Sequence, residues 1–273
     1  MSVEVITSLQ NPLIKQTIAL REAGVRREKQ FMLIDGVREI ERACHAGVEI
    51  DKIFVCRPLW QRRPQQQLLA LLKQSAKIIE VNQTVFEKMT FGQRLEGLLA
   101  IARMPHKALC DLKPKAQGLY VMVESLEKPG NLGAILRTCD AAGVDGLLIA
   151  DVKTDLYNPN VIRASTGCVF TVPTAIADHQ AILDFVKRYK IKTCGLFPQG
   201  HQEYTQADLT GPLAIILGSE DKGLSDFWHQ HADTSIKIPM QGQVDSLNVS
   251  VCAAIVIYEA LRQRSLDKSS LRI

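Results

Sequence analysis

The chain of 273 residues contains no apolar run of about 18 residues, so nothing in it is expected to span a bilayer. Its opening, MSVEVITSLQNPLIKQ, shows neither a charged-then-apolar signal pattern nor an Arg- and Ser-rich amphipathic one. Seven cysteines, at 44, 56, 110, 139, 168, 194 and 252, include no C-x-x-C pair. An odd count without spacing argues against a disulfide framework and against a zinc site. The six histidines add no metal spacing: His229 and His231 stand two apart and do not share a helix face. The glycine fingerprint G-x-G-x-x-G is missing, and with it the acidic ribose partner of a nicotinamide-binding fold. Internal repeats, low-complexity tracts and local Ser/His/Asp or Cys/His arrangements are also lacking. These absences set the expectation of a cytoplasmic protein without membrane or metal.

What is present is unevenly charged. The net charge is +4, yet residues 1–116 carry 19 Lys and Arg against 12 Asp and Glu, whereas 117–273 carry 14 against 17. A basic first part fits contact with a polyanion, although a solvated basic surface would look the same. The stretch 104–116, inside MPHKALCDLKPKAQG, has prolines, lysines and no apolar period, and reads as a linker between domains 1–103 and 117–273.

Both domains alternate strand and helix. In the first, strands are expected at Phe31–Ile34, Ile53–Val55 and Lys77–Val81. Helices are expected at Val37–Ala46, at about 65–75 and from Thr84, after a basic lead-in helix over Asn11–Ala23. In the second, strands at 119–123, 146–150, 168–172, 191–196, 213–217 and 234–238 alternate with helices at 131–142, 158–165, 179–189, 225–231 and 246–264. These strands are continuously apolar, so both sheet faces are covered and the sheet is parallel or mostly parallel. Such sheets bind ligands beyond the carboxyl ends of their strands.

Three unusual segments begin at such ends. In KPGNLGAILRTCDAAG (128–143) a glycine-bearing turn opens a helix near Asn131, and helix N-termini offer free N–H groups to anions. Arg137 follows nearly two turns on. In ILGSEDKGLS (216–225) a buried strand runs into a loop with glycines at both ends, where backbone can approach a ligand, and Glu220 sits at its start. In the run from Ile238 to Arg264, Ser246 is a candidate N-cap, Asn248 falls in the first turn, and a slim apolar helix follows. Taken one at a time, the first two are better read as a capped helix with a surface arginine and an ordinary strand-to-helix loop, and the third can be a buried helix whose first turn is also a site. Arg163, in RASTG after a proline-started helix, is either a second positive contact or a surface residue.

Taken in order, N-x-G-x-x-x-R at 131–137, L-G-S-E at 217–220 and I-P-M-x-G…S-L-N-V-S at 238–250 resemble the three motifs of the SpoU/TrmH family of RNA 2′-O-ribose methyltransferases, within the SPOUT superfamily. The likeness covers residues 117–273. The N-terminal part is similar to the family's substrate-binding extension, a small ribosomal-protein-like α/β domain, through FMLIDGVREIERACHAGVEIDKIFV. One departure is visible: Lys128-Pro129 stands where the first motif usually opens with Asp-Pro. The resemblance implies a C-terminal knotted (trefoil) parallel-sheet domain, an exception to the general avoidance of knots, and a homodimer. It also implies S-adenosylmethionine as cofactor and RNA, first of all ribosomal RNA, as partner. It implies reacting or orienting roles for Arg137, Asn131, Glu220, Ser246 and Asn248, and a cofactor held by Gly195, Leu196, Gly218, Ile238, Met240 and Leu247.

The family's proposed base is the arginine at Arg137. A guanidinium holds its proton at neutral pH, so a clamp on an RNA phosphate, with that phosphate or a water taking the proton, asks less of the residue. Transfer RNA is the alternative substrate. A non-catalytic RNA-binding assembly factor on the same fold is the alternative class, against which the joint presence of Asn131, Arg137, Glu220 and Asn248 argues.

Overall fold

The computed structural model describes residues 4–60, 64–72, 75–91 and 95–270. They form two compact units: Met1–His106 with Asp155–Thr171, and Lys107–Thr154 with Val172–Ile273.

The first unit holds strands β1 (Glu4–Ile6), β2 (Phe31–Asp35), β3 (Ile50–Val55), β4 (Lys77–Val81) and β5 (Leu98–Arg103). Their order is β1-β4-β3-β5-β2, with β5 antiparallel to β2 and β3 and the other pairings parallel. Ile14, Leu33, Phe54, Ile79, Phe86 and Leu99 form a core without solvent contact. The expected lead-in helix over Asn11–Ala23 is two helices, Pro12–Ala19 and Ala23–Lys29, because the backbone turns extended at Glu22 between them.

Three arginines tie Asp155–Thr171 into this unit. Arg26, 1% exposed, donates from Nε to Asp155 Oδ2 at 2.7 Å, and its NH1 donates to the carbonyls of Leu20 and Arg21. Arg42 NH1 donates to the Thr166 carbonyl at 2.7 Å. Arg163 NH1 donates to Asp35 Oδ2 at 3.2 Å and to the Phe91 carbonyl at 3.1 Å, so this arginine serves packing. Burial pushes the Asp35 carboxyl up, against the pull of the Phe91 N–H and Arg163.

The expected strand at 168–172 is instead a short helix, Cys168–Thr171. Cys168, Val169 and Phe170 are all buried, so the apolar run carries no alternation to tell strand from helix. The strand of this region is Thr174–Ile176, past Pro173.

The second unit is built on seven parallel strands, β6 (Leu119–Glu124), β7 (Gly146–Ala150), β8 (Thr174–Ile176), β9 (Lys192–Leu196), β10 (Gln202–Glu203), β11 (Leu213–Leu217) and β12 (Thr234–Lys237). Their order is β10-β12-β9-β11-β6-β7-β8, and every pairing is parallel. β6, β7 and β11 are buried along their whole length, the reason they read as unbroken apolar runs. The stretch 104–116 is not featureless: it contains a turn of 3-10 helix, Leu109–Asp111, and Leu112 is buried against Tyr120 in the core.

The last helix, Val249–Ser270, packs on the helix Pro129–Ala142. Near its end Arg264 donates to the carbonyls of Gln117 and Leu209, while Gln263 accepts from Leu209 N–H at 2.9 Å and donates to the Ala207 carbonyl at 3.0 Å. These bonds fix the helix to the chain leading into β6 and β11. Among the described residues no helix is long and apolar enough to cross a membrane.

Removing one partner of a buried ion pair strands the other charge. Arg26→Met is therefore expected to destabilise the protein by about 3–5 kcal/mol in urea unfolding, and pairing it with Asp155→Leu is expected to recover part of that loss.

Candidate active site

Three adjacent strands of the parallel sheet end at one place. The last residues of β9, β11 and β12, Leu196, Leu217 and Lys237, all line one cavity of about 790 Å3. That volume lies within the roughly 300–1,000 Å3 of small-molecule sites. The walls continue along the segments after each strand: to Pro198, through Gly218–Leu224, and through Ile238–Met240 to Val244–Leu247. The C-terminal helix closes the cavity with Val249 and Cys252.

The segment after β11 is a closed strap. Ser219 N–H donates to the Gly223 carbonyl at 3.0 Å and Gly223 N–H donates back to Ser219 at 3.1 Å. Gly223 turns the chain with φ +67, a conformation that favours glycine. Gly218 is required by contact instead: a Cβ there would stand 2.0 Å from the Gly223 carbonyl carbon and 2.2 Å from Leu224 N.

Asn131 lies in the first turn of the helix Pro129–Ala142, which starts with proline and ends at Gly143 with φ +64. Its amide Nδ2 donates to Glu220 Oε1, and its Oδ1 accepts from Asn248 Nδ2 at 3.1 Å. Asn248 in turn caps the C-terminal helix, its Oδ1 accepting from Ser250 N at 2.9 Å and Ser250 Oγ at 2.6 Å. The cap is thus Asn248 and not Ser246, which lies exposed before the helix and lines the cavity. Three side chains from three distant segments form one hydrogen-bonded chain.

Of the residues named from sequence, Leu196, Gly218, Ile238, Met240, Leu247, Ser246 and Glu220 line the cavity. Gly195 does not. It is buried in β9, where a Cβ would stand 2.3 Å from the ring of Phe197, a lining residue, so its smallness makes room for that ring. Arg137 is not brought into the Asn131–Glu220–Asn248 chain: it is exposed on its helix, without a hydrogen bond or ion pair among the described residues.

The cavity also gathers residues that no sequence motif marks. Phe197 and His229 pack against each other at a tilt, with ring centres 4.2 Å apart. Among the described residues that line it, Glu203, Glu220, Asp221 and Asp245 outnumber Lys222 and Lys237, so its charge favours a cationic ligand. Burial pushes the Cys252 thiol up from its ordinary range. Among the described residues, no group of three or more His, Cys, Asp or Glu could hold a metal ion.

Two glycine substitutions separate contact from freedom. Gly218→Ala is expected to cost about 1–3 kcal/mol by overpacking, whereas Gly130→Ala, in a helix with nothing within 4 Å of the added carbon, is expected to be neutral or stabilising. Thermal unfolding of both variants checks this.

Comparison with known proteins places this geometry. Residues 118–258 match the SpoU rRNA Methylase family and residues 11–100 match the MRM3-like substrate binding domain. The 23S rRNA (uridine(2479)-2′-O)-methyltransferase of Streptomyces viridochromogenes is 28% identical over 85% of this chain and 83% of its own. The crystal structure of an RNA 2′-O ribose methyltransferase superposes with a TM-score of 0.85 at 43% identity, over 95% of this chain and 98% of that one. The SpoU methyltransferase AviRb from Streptomyces viridochromogenes, crystallised with AdoMet, superposes with a TM-score of 0.86 at 27% identity, over 94% and 100%. With a family match that spans the parallel-sheet unit and all three cavity-forming segments, the chain belongs to the SpoU rRNA methylase family.

Proposed function

We propose that this protein transfers a methyl group from S-adenosylmethionine to a ribose 2′-hydroxyl of RNA, with ribosomal RNA as the substrate. The observation that carries this reading is the Asn131–Glu220–Asn248 chain, whose Glu220 lines a cavity rich in acidic residues formed by three strand ends. The residues suit the cofactor. Gly218 gives close access to backbone, Ile238, Met240 and Leu247 supply apolar contact, and the surplus of carboxyl groups favours a ligand that carries a sulfonium cation. Bound there, S-adenosylmethionine supplies a methyl group made electrophilic by that sulfonium.

The protein's part is to place the hydroxyl and to handle its proton. Asn131 is held on both sides, by Glu220 and by Asn248, so its amide is fixed in orientation without a large entropy cost on binding. Ser246, exposed at the cavity edge, is within the same segment as Asn248 and is assigned to the ribose with it. Arg137 is assigned to an RNA phosphate, which its planar guanidinium grips through two donors. The hydroxyl proton leaves to that phosphate or to a water.

The C-terminal helix supports a homodimer. Val251 and Tyr258, 45% and 50% exposed, lie seven residues apart on one helical face, an apolar pair that a second copy would cover. The trefoil threading of the C-terminal segment belongs to the same reading, supported by the way Val249 and Cys252 close a cavity whose other walls are earlier loops. So does a cytoplasmic location, in keeping with seven cysteines that stand as free thiols.

The test is transfer of labelled methyl to ribosomal and transfer RNA from cells that lack the protein. Label is expected in ribosomal RNA, absent with Arg137→Ala and at least about 100-fold slower with Arg137→Lys, which keeps charge but loses the fork. Label in transfer RNA would change the substrate class. No label, with no cofactor bound by calorimetry, would leave an RNA-binding scaffold. For the dimer, Tyr258→Arg is expected to give monomers in light scattering.

A further inference from the structure

Glu124 is the last residue of β6 and stands one position beyond the pairing of Val123 with Leu217, level with the start of the strap. Its side chain is almost fully buried, at 2% exposure for the residue. Oε2 accepts the backbone N–H of Ser225 at 2.8 Å. Ser225 is the last residue of the strap and stands at the N-cap position of the helix Asp226–His231, its own hydroxyl making no capping bond. On its other side Glu124 meets His179, whose Nε2 lies 2.5 Å from Oε1, off the line of a good hydrogen bond. The His179 ring is itself held against Phe227 and Trp228, at 5.4 and 6.3 Å between centres. A buried carboxyl group is costly unless it is satisfied, so this placement calls for a role, and none of the three family motifs contains Glu124.

A line of contacts leads from it to the cavity. Ser225 N fixes the end of Leu224, Leu224 N packs on Gly218 with no room for a Cβ, and both Gly218 and Leu224 line the cavity. The strap cannot take up slack in between, because Ser219 and Gly223 are bonded to each other in both directions. Glu220, on the same strap, holds Asn131. A loose Ser225 would therefore shift both the backbone wall of the cavity and the anchor of Asn131.

We infer that Glu124 is a positioning residue: by accepting the Ser225 N–H it latches the 218–225 strap in the shape that binds the cofactor. The inference rests on the reading of the cavity as the S-adenosylmethionine site. The whole protein serves for the test, as wild type, Glu124→Gln, which keeps an oxygen acceptor for Ser225, and Glu124→Leu, which does not.

S-adenosylmethionine affinity is measured by calorimetry. The Leu variant is expected to bind at least about tenfold more weakly, from the loss of a hydrogen bond to a carboxyl group, with KM for the cofactor raised more than kcat is lowered. The Gln variant is expected to stay within a few-fold of wild type, and RNA affinity to be unchanged in both. Hydrogen exchange of peptides covering 218–225, without cofactor, is expected to speed up in the Leu variant alone. Equal affinity and equal exchange in wild type and the Leu variant would overturn the latch, as would a Gln variant as weak as Leu. A wild type that binds no cofactor would overturn the reading of the cavity, while the exchange measurement would still judge the latch.

Discussion

The site depends on one constraint: β12, β9 and β11 are neighbours, parallel, and end together. In a parallel sheet all carboxyl ends lie at the same edge, so the segments leaving them meet without any of them needing to be long. Close packing then does the rest. Gly218 lies directly under the backbone of Gly223 and Leu224, and Gly195 yields space to the Phe197 ring. The cavity is shaped by where side chains are absent as much as by those that line it.

Polar contacts carry the precision. Asn131, Glu220 and Asn248 come from a helix start, a strap and a helix cap, and each has a structural task besides the chemistry assigned to it. Asn248 both caps the last helix and holds Asn131, so one side chain links the helix start to the site. In the first unit the work of order falls to arginines: Arg26, Arg42 and Arg163 bind a segment more than a hundred residues away along the chain or lie within it. Their donors satisfy backbone carbonyls and carboxylates that would otherwise be buried alone.

Much of this was legible in the residues themselves. Strands such as LAIIL at 213–217 announced a covered parallel sheet, and PGN at 129–131 announced a helix start. Legibility failed where local pattern was ambiguous. CVFTV at 168–172 is short and apolar on every side, which suits a strand or a buried turn of helix equally, and tertiary packing chose the helix. Ser246 and Asn248 are both good caps by residue type, and only the start of the helix at Val249, with Asn248 Oδ1 accepting from Ser250, selects the second. Arg163 carried the charge of a binding residue but is spent on Asp35 and Phe91. Glu124 carried no signal, since a strand-final acid is unremarkable until the N–H it accepts is seen.

The sequence by itself determined the fold class, the order of elements, and through three spaced motifs the family and its chemistry, because periodicity and glycine, proline and cap residues act over a few positions. Only the tertiary structure decided which motif residues touch. It joined Asn131 to Glu220 and Asn248, left Arg137 apart, and brought Phe197, His229 and Glu203 into the cavity. Those outcomes depend on distances between segments far apart in the chain, which strand order sets and local pattern does not contain.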